Sequence, residues 1–151
     1  MRKLVNCFLA LIVAAAVFGP AAAGDLDADI ANENVYLHQL RQDNPDVDAQ
    51  YRDLIEPIKA EHDWVGNGGT ESPVGIITID QQDYVVTSSC KPHDCPSERL
   101  VTLLTPNADQ AAGALTVNHG DTGLGPQSST ITWLGSPNRS QRRYLAAYLF
   151  N

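Results

Sequence analysis

Between Val74 and Gly135 the chain carries a series of short segments rich in β-branched and aromatic residues: VGIITID (74–80), DYVVTSS (83–89), RLVTLLT (99–105), GALTVN (113–118) and STITWLG (129–135). Such residues suit a pleated, half-buried surface, and turn-forming residues bound each run. Gln81-Gln82, flanked by Asp80 and Asp83, marks a hairpin between the first two segments, and PNADQ (106–110) is a turn between the third and fourth. HGDTGLGPQ (119–127) reads as a loop before the last. Connections this short predict an antiparallel meander.

The flanks have a different period. GDLDADIANEN (24–34) is acidic and small, a poorly ordered start or a frayed helix, and Val35, Tyr36, Leu37 and Leu40 supply a short apolar face. Asn44-Pro45 reads as a helix cap with proline at the first helical position. Val47, Tyr51, Leu54, Ile55 and Ile58 then recur at helical spacing, and Pro57 limits the run. GNGGTESP (66–73) is loop. Ser136-Pro137 repeats the cap signal ahead of Tyr144, Leu145, Tyr148 and Leu149, the apolar face of a last helix. The class expected is α+β, with a central antiparallel β-sheet of about five strands flanked by helices. No internal repeat or low-complexity tract interrupts it.

The N-terminus predicts the compartment. Met1-Arg2-Lys3 is basic, Leu4 to Phe18 is almost wholly apolar, Gly19-Pro20 breaks the run, and Ala21-Ala22-Ala23 offers the small residues of a cleavage site. The apolar run falls short of the ~20 residues of a membrane span, so residues 1–23 read as a secretory signal peptide rather than a membrane anchor. Residues 24–151 are then one mature domain. Of 10 Lys and Arg against 18 Asp and Glu, two basic residues leave with the signal, and the mature net charge is about −10. A surface so acidic argues against nucleic acid or anionic lipid as partner and favours a basic protein.

Cys7 lies within the signal, which leaves Cys90 and Cys95 around Lys91, Pro92, His93 and Asp94. In an oxidising compartment a close, even pair reads as a disulfide. Closing so small a ring removes chain entropy worth roughly 2 kcal/mol. Its larger effect is local, since it orders a loop between DYVVTSS and RLVTLLT before any partner arrives. Pro92 restricts the loop further, and its apex carries His93. A protonated imidazole donates from both ring nitrogens and so suits a pair of carboxylates in a cleft. Retaining glycosidases hold two carboxyl groups ~5–5.5 Å apart, and lysozyme is their type case. Lys91 would add positive potential beside it.

Other chemistry fits less well. Cys90, His93, Asp94 and Cys95 supply metal-ligand types, but four ligands within six residues cannot readily close a tetrahedron, and no second cluster follows. A thiol-disulfide enzyme uses two residues between its cysteines beside a helix. His119 with Asp121, or His62 with Glu61 and Asp63, are the available acid-base sets, yet no nucleophile motif accompanies them. GDTGLG (120–125) reads as a turn, and Asn138-Arg139-Ser140 is a chance sequon. Trp64 and Trp133 are expected in the core, and His38 on a helix face. No enzyme activity and no cofactor are expected.

Cys90-Lys91-Pro92-His93-Asp94-Cys95 resembles, at all six positions, the signature of the inhibitor-of-vertebrate-lysozyme (Ivy) family. Ser97 and Arg99 after the ring, ITWL (131–134) and the helical segment before WVGNGGT (64–70) are similar to the same family. The resemblance implies a periplasmic bacterial protein that evades host defence by inserting this loop into the active-site cleft of C-type lysozyme. The histidine that contacts the catalytic carboxylates maps onto His93. Lys91, Pro92 and Asp94 would flank it, and Cys90–Cys95 would be the bridge. The resemblance also implies a possible homodimer. A second function within reach is control of endogenous lytic transglycosylases that act on peptidoglycan.

Overall fold

The computed structural model describes residues 34–67, 69–121 and 125–150. The expected signal segment, residues 1–23, and most of the acidic stretch after it lie outside the described residues.

Helices α1 (Leu37–Asp43) and α2 (Pro45–Ile55) come first. Pro45 occupies the first turn of α2, where its missing N–H is no loss. The expected Asn44 side-chain cap is not formed. Its Nδ2 instead donates to the Leu40 carbonyl at 3.2 Å and closes the end of α1. Val47, Tyr51, Leu54 and Ile55 are buried along α2, as their spacing predicts. The helix stops at Ile55, two residues before Pro57. The N–H groups of Ile58 and Lys59 both return to the Ile55 carbonyl (3.0 and 3.1 Å), and these turns still bury Ile58. A 3-10 turn at Asp63–Val65 then sets Trp64 and Val65 into the core.

The sheet comprises β1 (Thr70–Glu71), β2 (Gly75–Ile79), β3 (Gln82–Cys90), β4 (Glu98–Leu104), β5 (Ala111–Asp121) and β6 (Pro126–Leu134). Every pairing is antiparallel, in the order β1-β3-β4-β5-β6, with β2 also on β3. The strand beyond the expected five is β1, and proline explains it. β1 and β2 are two pieces of one edge along β3, facing Ser89–Cys90 and Gln82–Val86. Between them Ser72 donates to the Ser88 carbonyl at 2.9 Å, Pro73 has no N–H, and Val74 turns away to the Val35 carbonyl at 2.8 Å.

Two boundaries differ from expectation. Most of HGDTGLGPQ is strand, not loop, because β5 runs to Asp121 and β6 starts at Pro126, with His119 opposite Ser128. This ribbon projects past the core, and β6 is exposed over most of its length, so no buried face imprints an alternation on it. Helix α3 (Arg139–Leu149) is capped by Asn138, not Ser136. The Asn138 Oδ1 accepts from the Gln141 N–H at 2.9 Å and Gln141 Oε1 from the Asn138 N–H at 2.7 Å, a reciprocal capping box. Gly135 (φ +67) makes the turn before it, where a Cβ would lie 2.3 Å from the Ala111 carbonyl oxygen.

Helices cover the sheet on both faces. Leu37, Val47, Tyr51, Leu54, Ile55 and Trp64 pack with Leu100, Leu104 and Leu115 on one side. Leu145 and Leu149 of α3 pack with Val86, Val101, Leu103 and Ala114 on the other. A doubly covered centre explains why β3 and β4 read as continuous apolar runs rather than alternating ones. The polar pair buried there, Thr87 and Thr102, satisfies itself across the strands at 2.6 Å.

Candidate functional site: the disulfide loop

Strand β3 ends at Cys90 and β4 begins at Glu98, so the loop between them leaves one end of the sheet from its interior strands. Cys90 faces Arg99 in the ladder, and the Lys91 N–H donates to the Glu98 carbonyl at 3.1 Å, which zips the base shut. A disulfide joins Cys90 to Cys95 with Cα atoms 4.8 Å apart. Within and after the ring two turns succeed each other: the Asp94 N–H donates to the Lys91 carbonyl and the Ser97 N–H to the Asp94 carbonyl, each at 3.0 Å. In the first turn Pro92 stands second and His93 third, and His93 has φ +63. Proline then a residue with positive φ is the pattern of a type II turn, whose third place is usually glycine or asparagine. Histidine tolerates the left-handed region better than branched residues do.

The candidate residues divide by direction. Pro92 and His93 are exposed at the apex, and the imidazole has no hydrogen bond to a described residue. Asp94 is half-buried and turns inward, its Oδ1 accepting from the Ser97 hydroxyl at 2.6 Å. Lys91 also turns back, donating from Nζ to Glu98 Oε1 at 2.8 Å. The far side is braced by Asn118 of β5, whose backbone N–H donates to the Ser97 carbonyl (2.8 Å) and whose Nδ2 donates to the Pro96 carbonyl (2.6 Å). Ser129 of β6 holds Asn118 Oδ1 in turn, at 2.7 Å.

Glu98 and Asn118 are the residues that sequence reasoning passed over. Glu98 Oε2 accepts from Trp64 Nε1 at 2.8 Å and lies 2.7 Å from His62 Nδ1. Burial alone would raise the pKa of this carboxyl, but hydrogen bonds from Lys91, Trp64 and His62 outweigh it and hold the value down, to about 2. Seven positions separate Lys91 from Glu98, and only the hairpin brings them together. Among the histidines weighed for catalysis, His62 is thus joined to Glu98 rather than to Glu61 or Asp63, and His119 Nε2 meets Thr130 Oγ1 at 3.2 Å across the ribbon. His38 is on α1 as expected, paired with Glu71 at 2.8 Å. Trp64 is core, while Trp133 is partly buried beneath the Arg142 guanidinium, 5.5 Å from its ring centre.

Gly69 locks the brace to the loop. A Cβ there would sit 2.3 Å from the Cys90 carbonyl oxygen and 2.7 Å from the Trp64 ring. Gly69→Ala is therefore expected to cost about 1–3 kcal/mol by overpacking, and to move the indole off Glu98. A urea midpoint and the indole N–H resonance report these two effects, and no change in either would mean that the chain accommodates a side chain here.

The fold and the site define an α+β protein whose sheet, covered by helices on both faces of its centre, holds out a braced, disulfide-closed loop with one free imidazole at its apex. The family model described as inhibitor of vertebrate lysozyme (Ivy) matches residues 46–147. The chain belongs to the Ivy family. It is 34% identical over 71 residues to the inhibitor of vertebrate lysozyme of Escherichia coli, a match covering 47% of this chain and 43% of that protein. It is 32% identical over 100 residues to the protein of the same name from Pseudomonas aeruginosa, covering 61% of this chain and 65% of the relative. An uncharacterized Pseudomonas aeruginosa protein is 27% identical over 151 residues, covering 96% of this chain and 93% of its own length.

Proposed function

We propose that this chain is an inhibitor of C-type lysozyme that works by occupying the enzyme's cleft, with residues 1–23 directing export to the periplasm. The observation that carries this is the loop apex, where the one side chain held out unpaired in a braced ring is His93. An imidazolium placed between two carboxylates makes charge-assisted hydrogen bonds to both, and these are stronger than neutral ones. Because the ring, the turns and the Asn118 brace order the loop beforehand, little conformational entropy remains to be lost on docking. The acidic surface steers the chain toward a basic enzyme and chiefly raises the association rate. The names of the Escherichia coli and Pseudomonas aeruginosa relatives support the same target.

The test is lysozyme-driven clearing of a cell-wall suspension in the presence of the purified protein without residues 1–23. Inhibition at micromolar protein or below is expected, and its absence would remove the proposal. Cys90→Ser/Cys95→Ser is expected to keep a urea midpoint close to wild type, because β3 and β4 already hold the loop ends. Inhibition should weaken about tenfold, the scale of re-ordering a freed loop. Global unfolding of that variant would show that the bridge supports the core instead.

A further inference from the structure

We propose that Glu98 is the positioning residue of the loop, and that Lys91 acts through Glu98 rather than by touching the partner. This rests on the lysozyme-cleft reading. Lys91 is the first residue inside the ring and the only lysine or arginine within it, so it looks like a ligand for an acidic slot. Its geometry says otherwise. Nζ is 2.8 Å from Glu98 Oε1, and the Glu98 side chain is only 12% exposed. The second oxygen of Glu98 is met by Trp64 Nε1 and His62 Nδ1 at 2.8 and 2.7 Å, so three side chains converge on one carboxylate.

Trp64 is 6% exposed and packs with α2 and with Leu100 and Leu115 of the sheet, so Glu98 joins the loop base to the helix-side core. Backbone and side chain act at the same rung, since Lys91 N–H also donates to the Glu98 carbonyl at 3.1 Å. Two links at one rung fix the angle at which the ring leaves the sheet, and with it the direction of His93. Turning that ammonium toward a partner's carboxylate would leave Glu98 Oε1 inside the protein without its cation, a costly exchange. Lys91 is a strut, and the side chain presented to the partner is the imidazole.

A double-mutant cycle on the inhibition constant tests this, with Lys91→Met, Glu98→Gln and the pair. Each single variant is expected to weaken inhibition about tenfold, and the pair by no more than about threefold beyond the worse single. If Lys91→Met costs as much in the Glu98→Gln protein as in wild type, Lys91 contacts the partner and the proposal fails. A readout without lysozyme separates this from the proposed function. Amide hydrogen exchange at Lys91, Asp94 and Ser97 in the free protein should rise severalfold in both single variants, while core amides of β4 stay protected. Unchanged loop exchange would overturn the positioning role, even if the wild-type protein inhibits lysozyme. Faster loop exchange in a protein that inhibits nothing would leave the positioning role standing and remove the target. Should Glu98→Gln fold poorly, Lys91→Met alone decides through the same amides.

Discussion

Replacing His93 by alanine weakens lysozyme inhibition by about 2 kcal/mol or more, roughly thirtyfold, with no comparable loss of stability. That is the scale of an interface anchor truncated to a methyl group. The side chain is exposed and unpaired, so the free protein loses no internal contact. The backbone makes a sharper experiment available. His93 has φ +63, a region that costs a non-glycine residue about 1 kcal/mol. His93→Gly removes the imidazole and relieves that cost, so it keeps the turn at equal or better native-state geometry. If the imidazole is the anchor, both variants inhibit equally poorly. If the ring's shape is what binds, the glycine variant retains inhibition. Titrating each variant against lysozyme turnover distinguishes the two, and a fully active His93→Gly would move the anchor elsewhere.

The second large effect is on stability against acid. Glu98 is held at about 2 against an ordinary 4.5, so the folded state favours its anion. The sign follows directly. Above the ordinary value the contribution is fully present, and it declines below pH 4.5 and is gone once the pH falls through about 2. A shift of that size corresponds to stabilisation on the order of 3 kcal/mol. Glu98→Gln cannot ionise and lacks this dependence. Urea midpoints measured from pH 7 down to pH 2 should therefore fall more steeply for wild type than for the variant, and the curves should converge in acid. Asp48, which burial opposes but Arg41 and Arg52 hold below its usual value, adds a slope common to both proteins and cancels in the difference. Parallel curves would show that Glu98 is not stabilised as its contacts indicate.

Much of the fold was legible because local chemistry and burial agree there. Val47, Tyr51, Leu54 and Ile55 repeat at helical spacing because one face of α2 meets the sheet. The runs around Val85 and Val101 are apolar because helices cover both faces of the sheet centre. The β5–β6 ribbon was misread because neither burial nor turn chemistry marks His119–Asp121 as strand, and backbone pairing alone makes it one. Ser136-Pro137 misled for a related reason. The true cap is the next residue, Asn138, whose reciprocal bonds with Gln141 are visible only once the helix exists.

Six consecutive residues, Cys90 to Cys95, contain the ring, its proline and its imidazole, because a short disulfide loop is local in sequence and its chemistry travels with it. What holds that ring at an angle is not local. His62, Trp64, Glu98 and Asn118 come from a turn and two strands, and no local motif in the sequence ties any of them to the ring. Sequence alone determined what the loop can present. The tertiary structure decided which of its side chains are free to present it, because Glu98 across the hairpin base engages Lys91, Ser97 in the following turn engages Asp94, and His93 is left unspent.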